Sequence, residues 1–289
     1  MRQLTTTKRR GQVHKVETAI PLYDSSALGI PAFFEFRELL KYRYLVRNLI
    51  SRDLKVRYKR SVLGFVWVML NPLLMSLVLT VVFSHILRFS IQHYSVFLLG
   101  GILVWNVFAQ GSVAAMSNLV SNAGTLRRIY IPASVFVASS IGSALVNLIF
   151  ALVPFFIVAL VTGVQPQLTW PFIIVPCFLA GVFSFGIGLI VSTLMVYFND
   201  TYEIYTVLIT ALTYLTPIYY PVTFLPEPFR SAEQFNPMFL NISIFQQAVL
   251  QGTLPSSQTL FMAFGMSFGV LLIGWLFFTK MEGSFAYHF

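Results

Sequence analysis

Apolar positions along this chain run together instead of alternating. Residues 61–84, 89–126, 129–199, 204–226 and 234–279 contain no Asp, Glu, Lys or Arg. A bilayer core about 30 Å thick asks for about 20 consecutive apolar residues per helix. In hydrocarbon, a helix satisfies its backbone groups within one segment, whereas an open strand does not. Polar and turn-forming breaks divide the runs into six predicted spans: Val62–Phe83, Tyr94–Met116, Ala133–Val161, Trp170–Tyr197, Tyr202–Tyr220 and Thr259–Thr279. The predicted fold class is an all-α polytopic membrane protein with six transmembrane helices.

Two segments follow other patterns. Ahead of the first span, Leu39, Tyr42, Val46, Leu49 and Ile50 recur on one helical face, with Arg37, Lys41 and Arg47 opposite. That pattern predicts an N-terminal amphipathic helix lying in the headgroup plane. Between spans five and six, the uncharged stretch Phe235–Leu250 is too short to cross, and Pro226, Pro228, Pro237 and Pro255 punctuate its surroundings. It predicts one or two re-entrant or interfacial helices on the outer side. The resulting organisation is a flexible basic arm over 1–30, an interface helix and basic gate segment over 31–60, and a six-span membrane domain over 61–289.

Charge orients this scheme. The chain is 57% hydrophobic and 10% charged, against about 25% charged for soluble domains, which excludes a soluble globular protein. Fourteen of the nineteen Lys and Arg, and five of the ten Asp and Glu, lie in residues 1–60, so that segment carries the whole net charge of +9. With six spans, the loops on the N-terminal side hold seventeen cations, while the opposite side holds only Arg88 and Arg230. The positive-inside rule then places both termini in the cytoplasm. Met1–Asp24 has no apolar signal core. The lone Cys177 sits in an apolar run and reads as a small buried hydrophobe.

Candidate chemistry gathers at the ends of spans. Lys55, Arg57, Lys59 and Arg60 crowd the approach to span one. They suit either an ordinary topology signal or a site for lipid-linked phosphate, each cation contributing about 1 kcal/mol near an anionic surface. Asp53 and Arg57 have the spacing of a helical ion pair. Asn71-Pro72 predicts a kink in span one. The link Gly124–Pro132 carries Leu126, Arg127, Arg128, Ile129, Tyr130 and Ile131, a loop able either to fix topology or to dock on a soluble partner. Asn199, Asp200 and Glu203 open span five, and the Asp200–Glu203 spacing reads as a capping box before it reads as a catalytic pair. Tyr214, Tyr219 and Tyr220, near Pro217 and Pro221, suit an interfacial aromatic belt or a sugar-stacking wall. No Lys follows a Gly, so there is no G-x-x-x-x-G-K-[ST] phosphate loop, and the four His have no metal-ligand spacing.

The run Arg52–Pro72, R-D-L-K-V-R-Y-K-R-S-V-L-G-F-V-W-V-M-L-N-P, resembles the permease subunits of ABC exporters for bacterial surface polysaccharides such as O-antigen, capsule and teichoic acid. The loop ending Arg127–Pro132, the turn Tyr197–Asp200, Pro217–Pro221 and Asn236-Pro237 fit the same family in order and spacing. The resemblance implies a homodimeric permease in the cytoplasmic (inner) membrane, working with two copies of a separate ATPase that holds ATP and Mg²⁺. This chain itself would be no enzyme and hold no cofactor. It further implies a phosphate gate at Lys55–Arg60, ATPase coupling through Leu126–Ile131 with Asn199, Asp200 and Glu203, and a channel for a lipid-linked polysaccharide lined by aromatics such as Trp67, Tyr214, Tyr219 and Tyr220. A small-molecule ABC exporter, or a membrane glycosyltransferase using Glu227 and Glu233, remains open at this point.

Overall fold

The computed structural model describes residues 31–59, 61, 63–86, 92–129 and 131–288. The basic arm 1–30, Arg60 and Tyr130 lie outside the described residues. Those described form helices and connecting turns, with no strand among them.

Helix α1 (Pro31–Lys41) and helix α2 (Arg43–Tyr58) form the predicted amphipathic segment, separated at Tyr42. Its apolar face is buried: Leu49 is in a cluster with Leu39, Tyr42, Leu45 and Val46 at its edge. A 3₁₀ turn over Gly64–Val66 leads to α3 (Trp67–Thr80), which continues as a π turn over Val81–Ile86. The first apolar helix therefore starts later than the apolar pattern suggests. Gly64 has φ 50°, outside helical space, and its N–H donates to Ser61 Oγ at 3.1 Å. Pro72 lies buried inside α3.

Helix α4 (Tyr94–Ser121) is the centre of the fold, with buried residues all round. A helix apolar on every face belongs in an interior. It outruns the predicted end at Met116 because the polar residues beyond are used for packing: Asn118 Nδ2 donates to Phe136 O, Ser139 Oγ and Ser140 Oγ at 3.0–3.1 Å. After the single turn α5 (Ala123–Leu126), helix α6 (Ser134–Val161) and helix α7 (Ile174–Tyr197) pack against α4. Helix α8 (Thr201–Leu215) ends before the predicted Tyr220. Pro217 excludes the helical conformation from the residue before it, and Thr216 is extended at ψ 133°.

The connection before the last span holds α9 (Glu227–Glu233) and α10 (Pro237–Gln246), the latter ending in a π turn over Gln247–Gln251. Asn236 caps α10 by accepting from Met238 N and Phe239 N, and its amide donates to Thr216 Oγ1 and Glu233 Oε2. Helix α11 (Ser257–Glu282) is capped by Ser256, and a terminal turn α12 (Phe285–His288) follows. By length and apolar composition α4, α6, the segment 170–197 containing α7, and α11 can each cross a membrane, whereas the apolar segment 67–83 of α3 is shorter, as is the 15-residue α8.

Small residues set the closest crossing. A Cβ on Gly274 of α11 would lie 2.2 Å from the Gly186 carbonyl oxygen of α7, and one on Gly186 would lie 2.7 Å from Leu271 backbone. With no hydrophobic drive between helices in lipid, such close backbone approach supplies the packing. Gly274→Ala should therefore destabilise the fold by about 1–3 kcal/mol, read as a lower melting temperature in detergent. Gly269→Ala, on the same helix with open space around it, should change melting little.

Candidate functional site

The apolar bundle contains a run of amides that hydrocarbon cannot solvate. Asn106 and Gln110 lie one turn apart on α4, with Ser117, Asn118 and Ser121 continuing toward its end. Together with Asn71 of α3 and Asn147 of α6 they line two neighbouring cavities of about 300 and 310 Å³ that share Gln110, Ala144 and Asn147. The first is lined by Trp67, Asn71, Pro72, Asn106, Gln110 and Asn147 among others. The second is lined by Asp53, Gln110, Ser117, Asn118, Ser121, Ser140, Ser143 and Asn147. They form one groove from the last turns of α2 to the first turns of α3, and Asp53 is the one charged residue lining it among the described residues.

The groove is built by local rules. Ser139, Ser140 and Ser143 return their hydroxyl protons to carbonyls of their own helix at 2.9–3.1 Å, a normal way to carry serine through an apolar segment. Asn118 is fully committed to α6 and to Asn122. By contrast, Asn147 Oδ1 is buried without a hydrogen-bond partner, which costs about 1–3 kcal/mol unless something in the groove supplies a donor. Pro72 frees a backbone carbonyl in the first turn of α3 and carries Asn71 beside it into the wall.

The predicted site residues divide among three places. Lys55 and Lys59 are exposed at the end of α2, which also bears Arg57. Asp53 Oδ1 lies 3.4 Å from Arg52 Nη2; the Arg57 side chain, and with it the expected Asp53–Arg57 pair, lies outside what the structure describes. Trp67, 43% exposed, lines the groove. Tyr214, Tyr219 and Tyr220 do not join it. They gather around the far end of α3, where Phe83 stacks on Tyr219 at 6.3 Å and the Tyr214 ring lies tilted against Tyr219 at 5.8 Å. Trp67 and Phe83 are separated by about 24 Å of helix at 1.5 Å per residue. Tyr220 donates to the Tyr214 and Leu215 carbonyls at 2.9 and 3.0 Å, so its hydroxyl caps α8. Burial and the nearby Glu233 carboxylate raise its pKa, and burial raises that of Glu233 too.

The third place is the end of the bundle where α4 meets α6. Leu126 and Ile131 pack on the apolar cluster around Ala133 and Val135. Between them Arg127, Arg128 and Ile129 are exposed, Ile129 by 59%. An apolar tip flanked by cations on a pinned base is a docking shape. Asn199, Asp200 and Glu203 are exposed at the start of α8. The predicted capping box does not form: Asp200 has helical backbone angles and its side chain makes no cap bond.

Sequence reading missed the groove amides and two carboxylates. Glu282 Oε1 accepts from Ala133 N at 2.6 Å, capping α6 directly behind the exposed loop. Glu35 Oε2 accepts from Thr279 Oγ1, joining α1 to α11. The sequence signal for the amides is their spacing, Asn106 then Gln110, inside a stretch, 94–116, with no other Asn, Gln or charged residue. Helix α8 is held to α4 by two polar pins, Tyr205 Oη to Ser112 Oγ at 2.7 Å and Trp105 Nε1 to Thr213 Oγ1 at 3.0 Å. Tyr205→Phe combined with Thr213→Val should weaken this attachment by about 1–2 kcal/mol. Faster amide hydrogen exchange confined to α8 would be the readout.

A family model described as ABC-2 type transporter matches residues 44–250. The O-antigen export system permease protein RfbA of Klebsiella pneumoniae is 30% identical over 82% of this chain and 92% of its own length. A protein of the same description from Myxococcus xanthus is 30% identical over 78% of this chain and 87% of its own. The polysialic acid transport protein KpsM of Escherichia coli is 24% identical over 72% and 81%.

Proposed function

We propose, for a chain that belongs to the ABC-2 type transporter family, that it is the membrane subunit of an ATP-driven exporter of a lipid-linked polysaccharide. The observation that carries this reading is the groove: an amide-lined wall, with Asp53 at one end, that runs from the basic end of α2 along α3, α4 and α6. Polar groups at that depth face a water-filled path or a bundle interior, not lipid. Amides and hydroxyls offer paired donors and acceptors that match sugar hydroxyls.

In this reading α3 and α8 complete six spans despite their shortness, and both termini are cytoplasmic. The apolar faces that α3 and α8 leave open, including Leu74, Leu77 and Val78 of α3 and Val207 and Leu208 of α8, support a homodimer in which a second copy covers them. Helix α10 is the re-entrant element on the outer side. The lipid phosphate meets Lys55, Arg57, Lys59 and Arg60, which directly precede α3 in the chain. The glycan passes Trp67 and the groove amides, with Tyr214, Tyr219 and Tyr220 toward the exit. ATP and Mg²⁺ act on a separate ATPase subunit, two copies per dimer, because the chain has no phosphate loop of its own. The ATPase seats on Arg127, Arg128 and Ile129. Asn199, Asp200 and Glu203 at the start of α8 form the second contact.

Two expected outcomes test this reading. Ile129→Ser with Arg127→Ala and Arg128→Ala should leave insertion intact, reduce co-purification of the ATPase about tenfold and stop export. Normal assembly and export by that variant would remove the loop from the coupling surface. At the gate, an arginine fork binds phosphate oxygens in pairs, whereas lysine acts as a point charge. Arg57→Ala and Arg60→Ala should each cut surface polysaccharide by about tenfold, the equivalent of about 1.4 kcal/mol. The Lys replacements should be milder. Unchanged export in both Ala variants would leave the cations as a topology signal.

A further inference from the structure

A third cavity, of about 470 Å³, lies apart from the groove, between the Pro217–Val222 segment, α10 with its π turn, and the first turns of α11. Five of the chain's eleven glutamines line it: Gln234, Gln246, Gln247, Gln251 and Gln258. Gln246 Nε2 donates to Phe97 O at 3.1 Å and is thereby fixed. The side-chain amides of Gln234, Gln247, Gln251 and Gln258 bond to no described residue, in contrast to Asn118, Asn122 and Asn236, whose amides are all engaged. The wall also carries Ser243, Thr259 and the rings of Phe97 and Phe239, and among the described residues no Asp, Glu, Lys, Arg or His lines it.

The backbone is shaped around this wall. Gln247 and Gln251 bracket the π turn that ends α10, a distortion that recurs at functional sites. Gly252, at φ 64°, then turns the chain out of the helix, and Gln258 returns to the same cavity at the start of α11. Free amides, each with two donors and an acceptor, beside two aromatic rings and without any charge, form a site selective for neutral polyhydroxylated ligands. An anionic chain would meet no compensating cation among the described lining residues and would lose hydration on entry.

We infer that this glutamine-lined cavity is a second carbohydrate site, on the outer side of the membrane, that holds uncharged glycosyl units of the emerging polymer. The inference rests on the export reading for its occupant and on the assigned orientation for its side. It adds a specificity: the polymer is neutral over the segment that leaves the membrane, unlike polysialic acid.

The test uses the full-length chain in lipid nanodiscs and saturation-transfer NMR, which detects weak sugar binding. The probes are mannotetraose, galactotetraose and tetrasialic acid. At least one neutral tetramer should show saturation transfer and tetrasialic acid should show little. Gln247→Leu with Gln251→Leu should reduce the neutral signal at least about threefold, and Gln258→Leu, on the exposed start of α11, should reduce it in a protein whose melting temperature is unchanged. Absence of transfer from both neutral tetramers, equal transfer from tetrasialic acid, or an undiminished signal in Gln258→Leu and in the double variant would each overturn the site. Those results leave ATPase assembly and export untouched, so failure here is separable from failure of the export reading.

Discussion

An amide cannot rest in hydrocarbon without a partner, and the arrangement of α3, α4 and α6 follows from that constraint. Most polar side chains in the long apolar helices are silenced locally. Serines and threonines return their protons to the preceding turn, as Ser112 does to Phe108 O at 2.6 Å and Thr193 to Leu189 O at 2.8 Å. Asn118 clamps α4 to α6. Asn71, Asn106, Gln110 and Asn147 are instead turned onto one shared groove. Their concentration on one wall gives that wall the polar groups that a water-filled path at membrane depth needs.

The rest of the bundle holds this wall in place. Helix α4 is buried except along its groove face, and its glycines admit neighbours: Gly100 lies against Phe245 of α10, and Gly101 against Ile218. The α7–α11 crossing at Gly186 and Gly274 locks a rigid half. Against it stand α3 and α8, which present much apolar surface. Helix α8 runs from the exposed Asn199–Glu203 turn to the aromatic group around Tyr219, and two hydrogen bonds pin it to α4. The buried Tyr205 and Ile209 anchor it to the main apolar cluster as well, while its opposite face stays open. Beneath the exposed 127–129 loop, Glu282 capping α6 and Glu35 reaching Thr279 tie its base to α11 and α1.

Much of this was legible in sequence. Uncharged runs locate every long helix, and the amphipathic pattern of Leu39–Ile50 locates the packed face of α1 and α2. The ends were harder, because single residues decide them: Gly64 delays α3, Pro217 stops α8, and Asn118 extends α4 through a contact twenty-odd residues away in sequence. The capping box at Asp200 failed because proximity in sequence offers a bond without requiring it. The aromatic set divided because Trp67 and Tyr219 resemble each other only in composition; helix length holds them at opposite ends of α3. The groove depends on amides from three helices that no periodicity within one segment brings together.

Water access to the groove tests the central claim most directly. The single native Cys177 is buried in α7, so Cys177→Ser provides a background for one new cysteine at a time. Only hydrated thiols ionise and react readily. In membranes, cysteines at Asn106, Gln110 and Asn147 should react with a charged, membrane-impermeant maleimide. Cysteines at Val153 and Ile157, on the exposed apolar face of α6, should not. Silence at all three groove positions, or equal labelling at Val153 and Ile157, would contradict an aqueous path along this wall.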